Sequence, residues 1–500
     1  MGEVDNVIDT RPILRSFLQK REIVRQHLDS FNDFVENRLQ SIINEIGRVE
    51  TDVGIDIEFG KIEVGNAVVV EADGSKNRIL PREARLRNLN YFSPITLEMR
   101  LVQEWKEGKW KPVQIGMLPT MVKSKICNLY GMNEKELVEA GEDPLDPGGY
   151  FIVNGSERVL VIIEDLAPNK IMLEKTERYS KVTEIAKVFS KRGGFRALVT
   201  VERDRDGLIG VSFPSVPGTI PFTILMRALG LETDQDIVNA VSEDREVVQH
   251  VLENIEEYLE IKTKEAAMEV IGKKVAAGQT REYRLKRAEQ VIDRYLLPHL
   301  GVEPEDRIKK AYYLGRMVLR VIELALGRRE PDDKDHYANK RLRLAGDLME
   351  DLFRVAFYNL TRDMKYQLER SVVRGKEPTV DTIVRADVLT ERIRHALATG
   401  NWVGGRAGVS QLLDRTNYLS IMSHLRRVVS PLSRSQPHFE ARDLHPTQWG
   451  RICPSETPEG PNCGLVKNLA LSSEFSTGVD ENKVEKILYR LGVKPIEKGV

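Results

Sequence analysis

Three cysteines in 500 residues, Cys127, Cys453 and Cys463, are too few for a disulfide framework and point to a reducing compartment. No CxxC and no His-x-x-x-His lies near them, which argues against a zinc site. No apolar run approaches the roughly 20 residues that a membrane span requires. The opening, MGEVDNVIDTRP, is acidic and polar, unlike a secretory signal. A cytoplasmic chain without a membrane partner is therefore expected. Net charge is also lacking: 75 basic residues stand against 76 acidic ones. A free-standing nucleic-acid binder is normally basic overall, whereas a subunit with one basic face can be neutral. HExxH, GxSxG and the Rossmann fingerprint are all missing, and GNWVGGRAGVS lacks the GK[S/T] ending of a phosphate loop. No close set of aspartates of the kind that holds two Mg²⁺ ions is present. No catalytic and no metal-binding residue is assigned to this chain.

What the sequence does have is one unusual stretch, Leu397 to Ala470. Glycines, prolines and single polar residues are interleaved so tightly that neither helical nor strand periodicity lasts. Between Arg406 and Arg451, seven arginines, Arg406, Arg415, Arg426, Arg427, Arg434, Arg442 and Arg451, stand against only Asp414, Glu440 and Asp443. A local surplus of arginine on irregular backbone suits a phosphate-facing surface.

The rest reads as several domains, since one per about 150 residues is usual. Residues 11–46 carry apolar positions at three- and four-residue steps (Leu14, Phe17, Leu18, then Leu28, Phe31, Phe34), which predicts helix. Gly54 to Val70 alternates like half-buried strand, and Pro81 to Val102 is read the same way. A polar helix is expected around Asn133 to Glu139. Asn154-Gly155 predicts a hairpin whose second strand, Arg158 to Ile163, is buried on both faces. Ser156, Glu157 and Arg158 are read as part of that hairpin. From 166 to about 325 a β-rich part, Lys170 to Phe213, gives way to long charged helices, the texture of an inserted domain. Apolar-periodic helix returns after Asp332. Lys334, Lys340, Arg341 and Arg343 form a basic cluster there, read equally as a solvated helix start or as a polyanion contact. RGKEPTVDT, Arg374 to Thr382, is the longest linker-like piece.

Several of these pieces carry a family resemblance. PREARLRNLNYFSPI, DPGGYFIVNGSERVLV, DKDHYANKRLRLAGDLM, RAGVSQLLDRTNYLSIMSHLRRVVSP and RDLHPTQWGRICPSETPEGPNCGLVKNL resemble the second-largest subunit of multi-subunit DNA-directed RNA polymerase. The likeness is greater to the archaeal and eukaryotic pattern than to the bacterial one. Such a subunit is about half complete at Val500, so the chain resembles B″, the N-terminal polypeptide of a split archaeal B subunit. A truncated piece of an unsplit subunit is the other reading.

The resemblance implies an α+β multidomain fold. A mixed protrusion (1–165 and 326–385) would be interrupted by an α+β lobe (166–325). A mainly helical and irregular fork (386–470) and the start of an external region (471–500) would follow. Gly400 to Gly408 resembles the fork loop where template and non-template strands part. Gln411, Asp414, His424, Arg427 and Arg442 match the region beside the RNA where bacterial enzymes bind rifamycins. Tyr418 and Val429 depart from that pattern, so drug binding is not implied. Pro458, Glu459 and Asn462 match positions close to the RNA of the hybrid, and Arg406 and Arg426 are expected to face nucleic acid as well. The resemblance implies partners: the second half of the B subunit (B′), the largest subunit (A′/A″), other polymerase subunits, template DNA and nascent RNA. Mg²⁺ would sit on the largest subunit, and the isolated chain would be inactive. A stand-alone nucleic-acid-binding scaffold of shared ancestry is the alternative.

Overall fold

The computed structural model describes residues 9–20, 23–71, 73–103, 106–176, 180–475 and 481–493. The acidic start at 1–8, the side chains of Leu14, Phe17 and Leu18, and residues 476–480 and 494–500 of the expected external region lie outside the described residues. The chain divides into two compact units, 1–165 with 342–500, and Leu166–Arg341. Both mix helix and sheet. No described helix is long and apolar enough to cross a membrane.

The first unit is built around a long helix, Ala345–Val373. Leu348, Leu352, Phe353, Ala356, Phe357 and Leu360 recur at three- and four-residue steps and are fully buried. The opening helical run, Arg25–Asp33 through Leu39–Ile46, passes through one π-helical turn at Phe34–Arg38 and packs on it. At their crossing Gly346 lies against the Ser30 carbonyl, which a Cβ would approach to 2.0 Å, so only glycine fits. Phe353 stacks on Phe357 at 5.8 Å, Phe34 meets Phe353 edge-on, and Phe59 brings the sheet to Phe357. That sheet pairs Ile55–Val64 with Phe92–Gln103, and the latter with Lys111–Pro119, all antiparallel.

Two expectations need correcting. Pro81 to Leu86 is a short helix before the strand, because proline at the first helical position has its φ set for helix and lacks only an N–H that would go unpaired. The run Arg158 to Ile163 is not one strand. It belongs to two, Ser156–Leu160 and Ile162–Leu166, which join different sheets. Its burial is as expected, since Val159 through Ile163 are all inside.

In the second unit, Ile171–Lys175, Val182–Arg192, Phe195–Asp204, Ile209–Ser212 and Ile220–Pro221 form an antiparallel meander. Six helices follow, from Phe222–Ala228 to Arg307–Ala325. Residues 326–341 stay with this unit. Asp332 exchanges hydrogen bonds with Leu173, and the Ala167 N–H donates to the Asn339 carbonyl. Three of the four residues of the expected basic cluster are ion-paired: Lys334 to Glu174, Lys340 to Asp335, and Arg343 to Asp351.

Candidate nucleic-acid interface

The apolar run at 156–166 positions the site. Asn154 and Gly155 both adopt positive φ, 50° and 72°, the two-residue turn that matches strand twist. Ser156–Leu160 then pairs with Ser410–Leu412, and Ile162–Leu166 pairs in parallel with Arg427–Val429. Arg427–Val429 in turn pairs with Val466–Asn468. The stretch 410–429 is thus strung between two sheets fed by one buried run.

Between its two strands lies the helix Tyr418–Leu425, capped by the Asn417 side chain, which accepts from the Ser420 N–H at 2.9 Å. Ile421, Met422 and Leu425 turn into the core, and His424 turns inward with them. The Asp414 N–H donates to His424 Nδ1 at 3.1 Å, so Nε2 carries the ring proton and donates to Gln411 Oε1 at 3.0 Å. Burial, helped by the Arg427 charge, pushes the imidazole down to about 4. His424 is therefore a neutral brace between Gln411 and Asp414. Both ring nitrogens of this residue, expected from the sequence to face nucleic acid, are engaged inside the protein. The Asp414 carboxylate is exposed and accepts from the Thr416 hydroxyl and N–H, which hold it below the usual carboxylate range.

The arginine surplus resolves into different uses. Arg426, only 7% exposed, donates to the carbonyls of Ile23 at 2.5 Å and Ala470 at 2.6 Å and so serves as an internal clamp. Arg442 donates to the carbonyls of Pro437, Pro461 and Cys463 at 2.6 to 2.8 Å, which staples the 457–464 loop instead of presenting a phosphate fork. Gly464 is pressed against it, since a Cβ there would meet the Arg442 carbonyl at 2.3 Å. Arg434 holds Asn462 Oδ1 at 2.9 Å and two further carbonyls. Arg415 binds Glu157 and Asp146 and lies over the Tyr150 ring at 5.0 Å. Arg85 reaches the same Glu157, so the hairpin turn is a structural junction. Arg406 is paired with Asp165 at 2.9 Å. Arg427 alone among the seven has no hydrogen-bond or ion-pair partner among the described residues, and its buried Nε is unsatisfied. It is half-buried, beside Asp414 and His424.

The glycine loop at 400–408 is closed by Trp402, whose N–H donates to the Arg406 carbonyl at 2.7 Å and whose indole donates to the Leu348 carbonyl at 2.9 Å. Gly404 and Gly405 at its tip are exposed, with φ of 78° and 72°. Pro458, Glu459 and Asn462 project from a second exposed loop, where Thr457 Oγ accepts from the Gly464 N–H and donates to the Val466 carbonyl.

Sequence reasoning missed one buried group. Lys467 Nζ lies 3.1 Å from Glu164 and 3.2 Å from Ser430 Oγ, which also meets Glu164, and all three are at most 5% exposed. The signal was a charge at or inside each apolar run, Glu164 directly after VLVII and Lys467 inside LVKNL. The pair ties the strand Ile162–Leu166 to the strands on its other side. Among the described residues no group of three or more His, Cys, Asp or Glu is placed to hold a metal ion.

The family described as RNA polymerase beta subunit matches residues 22–391, and that described as RNA polymerase Rpb2, domain 3 matches 411–475. The chain is 56% identical over 495 residues to the DNA-directed RNA polymerase subunit Rpo2N of Methanococcus vannielii, covering 97% of this chain and 99% of that one. Rpo2N of Halobacterium salinarum is 55% identical over 505 residues, covering 98% and 96%. The subunit Rpo2 of Saccharolobus solfataricus is 56% identical over 489 residues, which take up 98% of this chain and 44% of that longer relative.

Proposed function

The chain belongs to the RNA polymerase beta-subunit family, with archaeal Rpo2N relatives along nearly its whole length, and from that premise we propose what its irregular segment does in a transcribing enzyme. As a subunit of DNA-directed RNA polymerase, a nucleotidyltransferase complex, it frames the DNA cleft and lines the side of the active centre that faces the RNA–DNA hybrid. The segments would serve as protrusion (1–165 and 326–385, of which 326–341 pack with the second unit), lobe (166–325), fork (386–470) and the start of an external region (471–500). The observation that carries the reading is the state of Arg427. A half-buried guanidinium without an internal partner, on a rigid strand and beside exposed loops, is poised for an anion from outside the chain.

Gln411 and Asp414 would meet ribose hydroxyls or bases, since amide and carboxylate groups can read a 2′-hydroxyl. Pro458, Glu459 and Asn462 would approach the hybrid on their stapled loop, and the Gly400 to Gly408 loop would stand where the strands part. Arg406, Arg426, Arg442 and His424 would act by holding these elements in place. Nothing in this set performs proton chemistry. Mg²⁺ would be held by the largest subunit (A′/A″), and the second half of B (B′) would complete the cleft. Support for the multi-chain setting comes from the relatives, each named as a polymerase subunit.

The test is a crosslink from the 3′-proximal nucleotides of nascent RNA in the assembled polymerase. Adducts on 411–429 or 456–463 are expected. Adducts confined to other chains or to residues 166–325 would remove the hybrid-facing role.

A further inference from the structure

A groove of about 780 Å³ lies between two helices of the second unit, Asp234–Val241 and Arg245–Glu256. Gln235, Val238 and Asn239 line one wall, at helical positions i, i+3 and i+4. Val248, Leu252 and Glu256 run down the other at steps of four. Leu252 stands 43% exposed at the bottom of this stripe. A leucine left open on the inward stripe of a groove is a contact in search of a partner, unlike one scattered on a convex surface.

The rim gives the partner its chemistry. From Glu232 to Glu260 the chain carries ten acidic residues and one arginine or lysine, Arg245, in a protein whose overall charge is nearly balanced. Glu243 and Glu256, both on the groove, are exposed and have no hydrogen-bond or ion-pair partner among the described residues. Among the described residues Glu253 is met only by His250, at 3.2 Å. Such a field repels DNA and RNA backbones. It attracts lysine and arginine, while Val248 and Leu252 accept an apolar stripe.

We propose that this groove docks a basic amphipathic helix of another protein, its apolar side on Val238, Val248 and Leu252 and its cations on Glu243, Glu253 and Glu256. The groove belongs to the second unit, and its proposal does not depend on the role proposed above for residues 397–470.

A photoactivatable residue at Gln249, in the full chain assembled into polymerase within native extract, tests this. The expected adduct is a peptide with a net positive charge and apolar residues three and four apart. Its yield should fall at least fivefold in the Glu243→Lys, Glu256→Lys double variant and in Leu252→Ser, with assembly of the polymerase unchanged. A nucleic-acid adduct, an adduct with a second copy of this chain, a protein adduct insensitive to the charge reversal, or no adduct would each overturn the proposal.

Discussion

The Arg426 guanidinium donates to the carbonyl of Ile23 at 2.5 Å, joining residues 403 apart in sequence. Around this bond His27 Nε2 donates to the Leu425 carbonyl at 2.6 Å, and Arg426 also reaches Ala470. The opening helical region of the first unit is thereby closed on the middle and the C-terminal end of the irregular segment. Replacing Arg426 by Ala takes the guanidinium donors from the Ile23 and Ala470 carbonyls. A loss of roughly 2–5 kcal/mol in denaturant unfolding is expected, little changed by salt. A loss below about 1 kcal/mol would show that the clamp is dispensable.

Arg427 and Arg442 lie fifteen positions apart and make opposite forecasts. In assembled polymerase, Arg427→Ala should weaken retention of short transcripts and flatten its salt dependence. The slope of log affinity against log salt should fall by about 0.7–0.9, the share of one phosphate contact. Arg442→Ala should also weaken retention, by loosening the 457–464 loop, but with the slope intact. A common change of slope in both variants would contradict the assignment of Arg442 as a staple.

Only part of this division was legible in the sequence. The mixture of glycine, proline and arginine located the segment, because such composition excludes regular helix and strand. It did not separate a phosphate-facing arginine from one whose donors end on main-chain carbonyls. That depends on Ile23, Pro461 and Cys463, which a count of charges does not see. The helix Ala345–Val373 and the turn at Asn154-Gly155 were legible since each rests on local rules, apolar spacing and positive φ. The break at Val161 was not, because a continuous apolar run says that backbone is buried and not which sheet receives it.

Acid should act on this unit through two histidines. His27 and His424 are both buried and held down to about 4, chiefly by burial, below an ordinary value near 6.5. A depressed value means that the unfolded chain takes up protons that the folded one refuses. Stability is therefore full above about pH 6.5 and is lost as pH falls toward 4. Each ring contributes on the order of 3 kcal/mol at most. His424→Asn should flatten the pH dependence of unfolding across that window, and an unchanged profile would mean that the ring is not buried neutral.

Glu164 and Lys467 give a test by double replacement. Glu164→Gln removes the carboxylate charge that neutralises the buried Lys467 ammonium, and a cost of about 3–5 kcal/mol is expected. Pairing Glu164→Leu with Lys467→Met removes both charges and should recover most of that loss, because an apolar pair needs no desolvation of ions. Additive losses in the double variant would instead mark the pair as irreplaceable packing.

Lys310 makes the corresponding forecast for the second unit. Its side chain is wholly buried, and Nζ donates to the carbonyls of Ile292 and Asp293 at 3.1 and 2.7 Å, at the end of the helix Arg281–Tyr295. These carbonyls lie in the last turn of the helix, where main-chain acceptors outnumber donors, so an amine there caps them whether or not it is charged. Burial nonetheless disfavours the ammonium and pushes the group down to about 8 from an ordinary value near 10.5. Here the unfolded chain binds the extra proton between those two values, so stability rises as pH climbs from about 8 to about 10.5. Lys310→Met keeps the length and removes the titration. Far-UV denaturation curves of the full chain should show wild type gaining on the variant across that interval. A constant difference between them would mean that Lys310 remains charged, with Asp293 and its carbonyl cap outweighing burial.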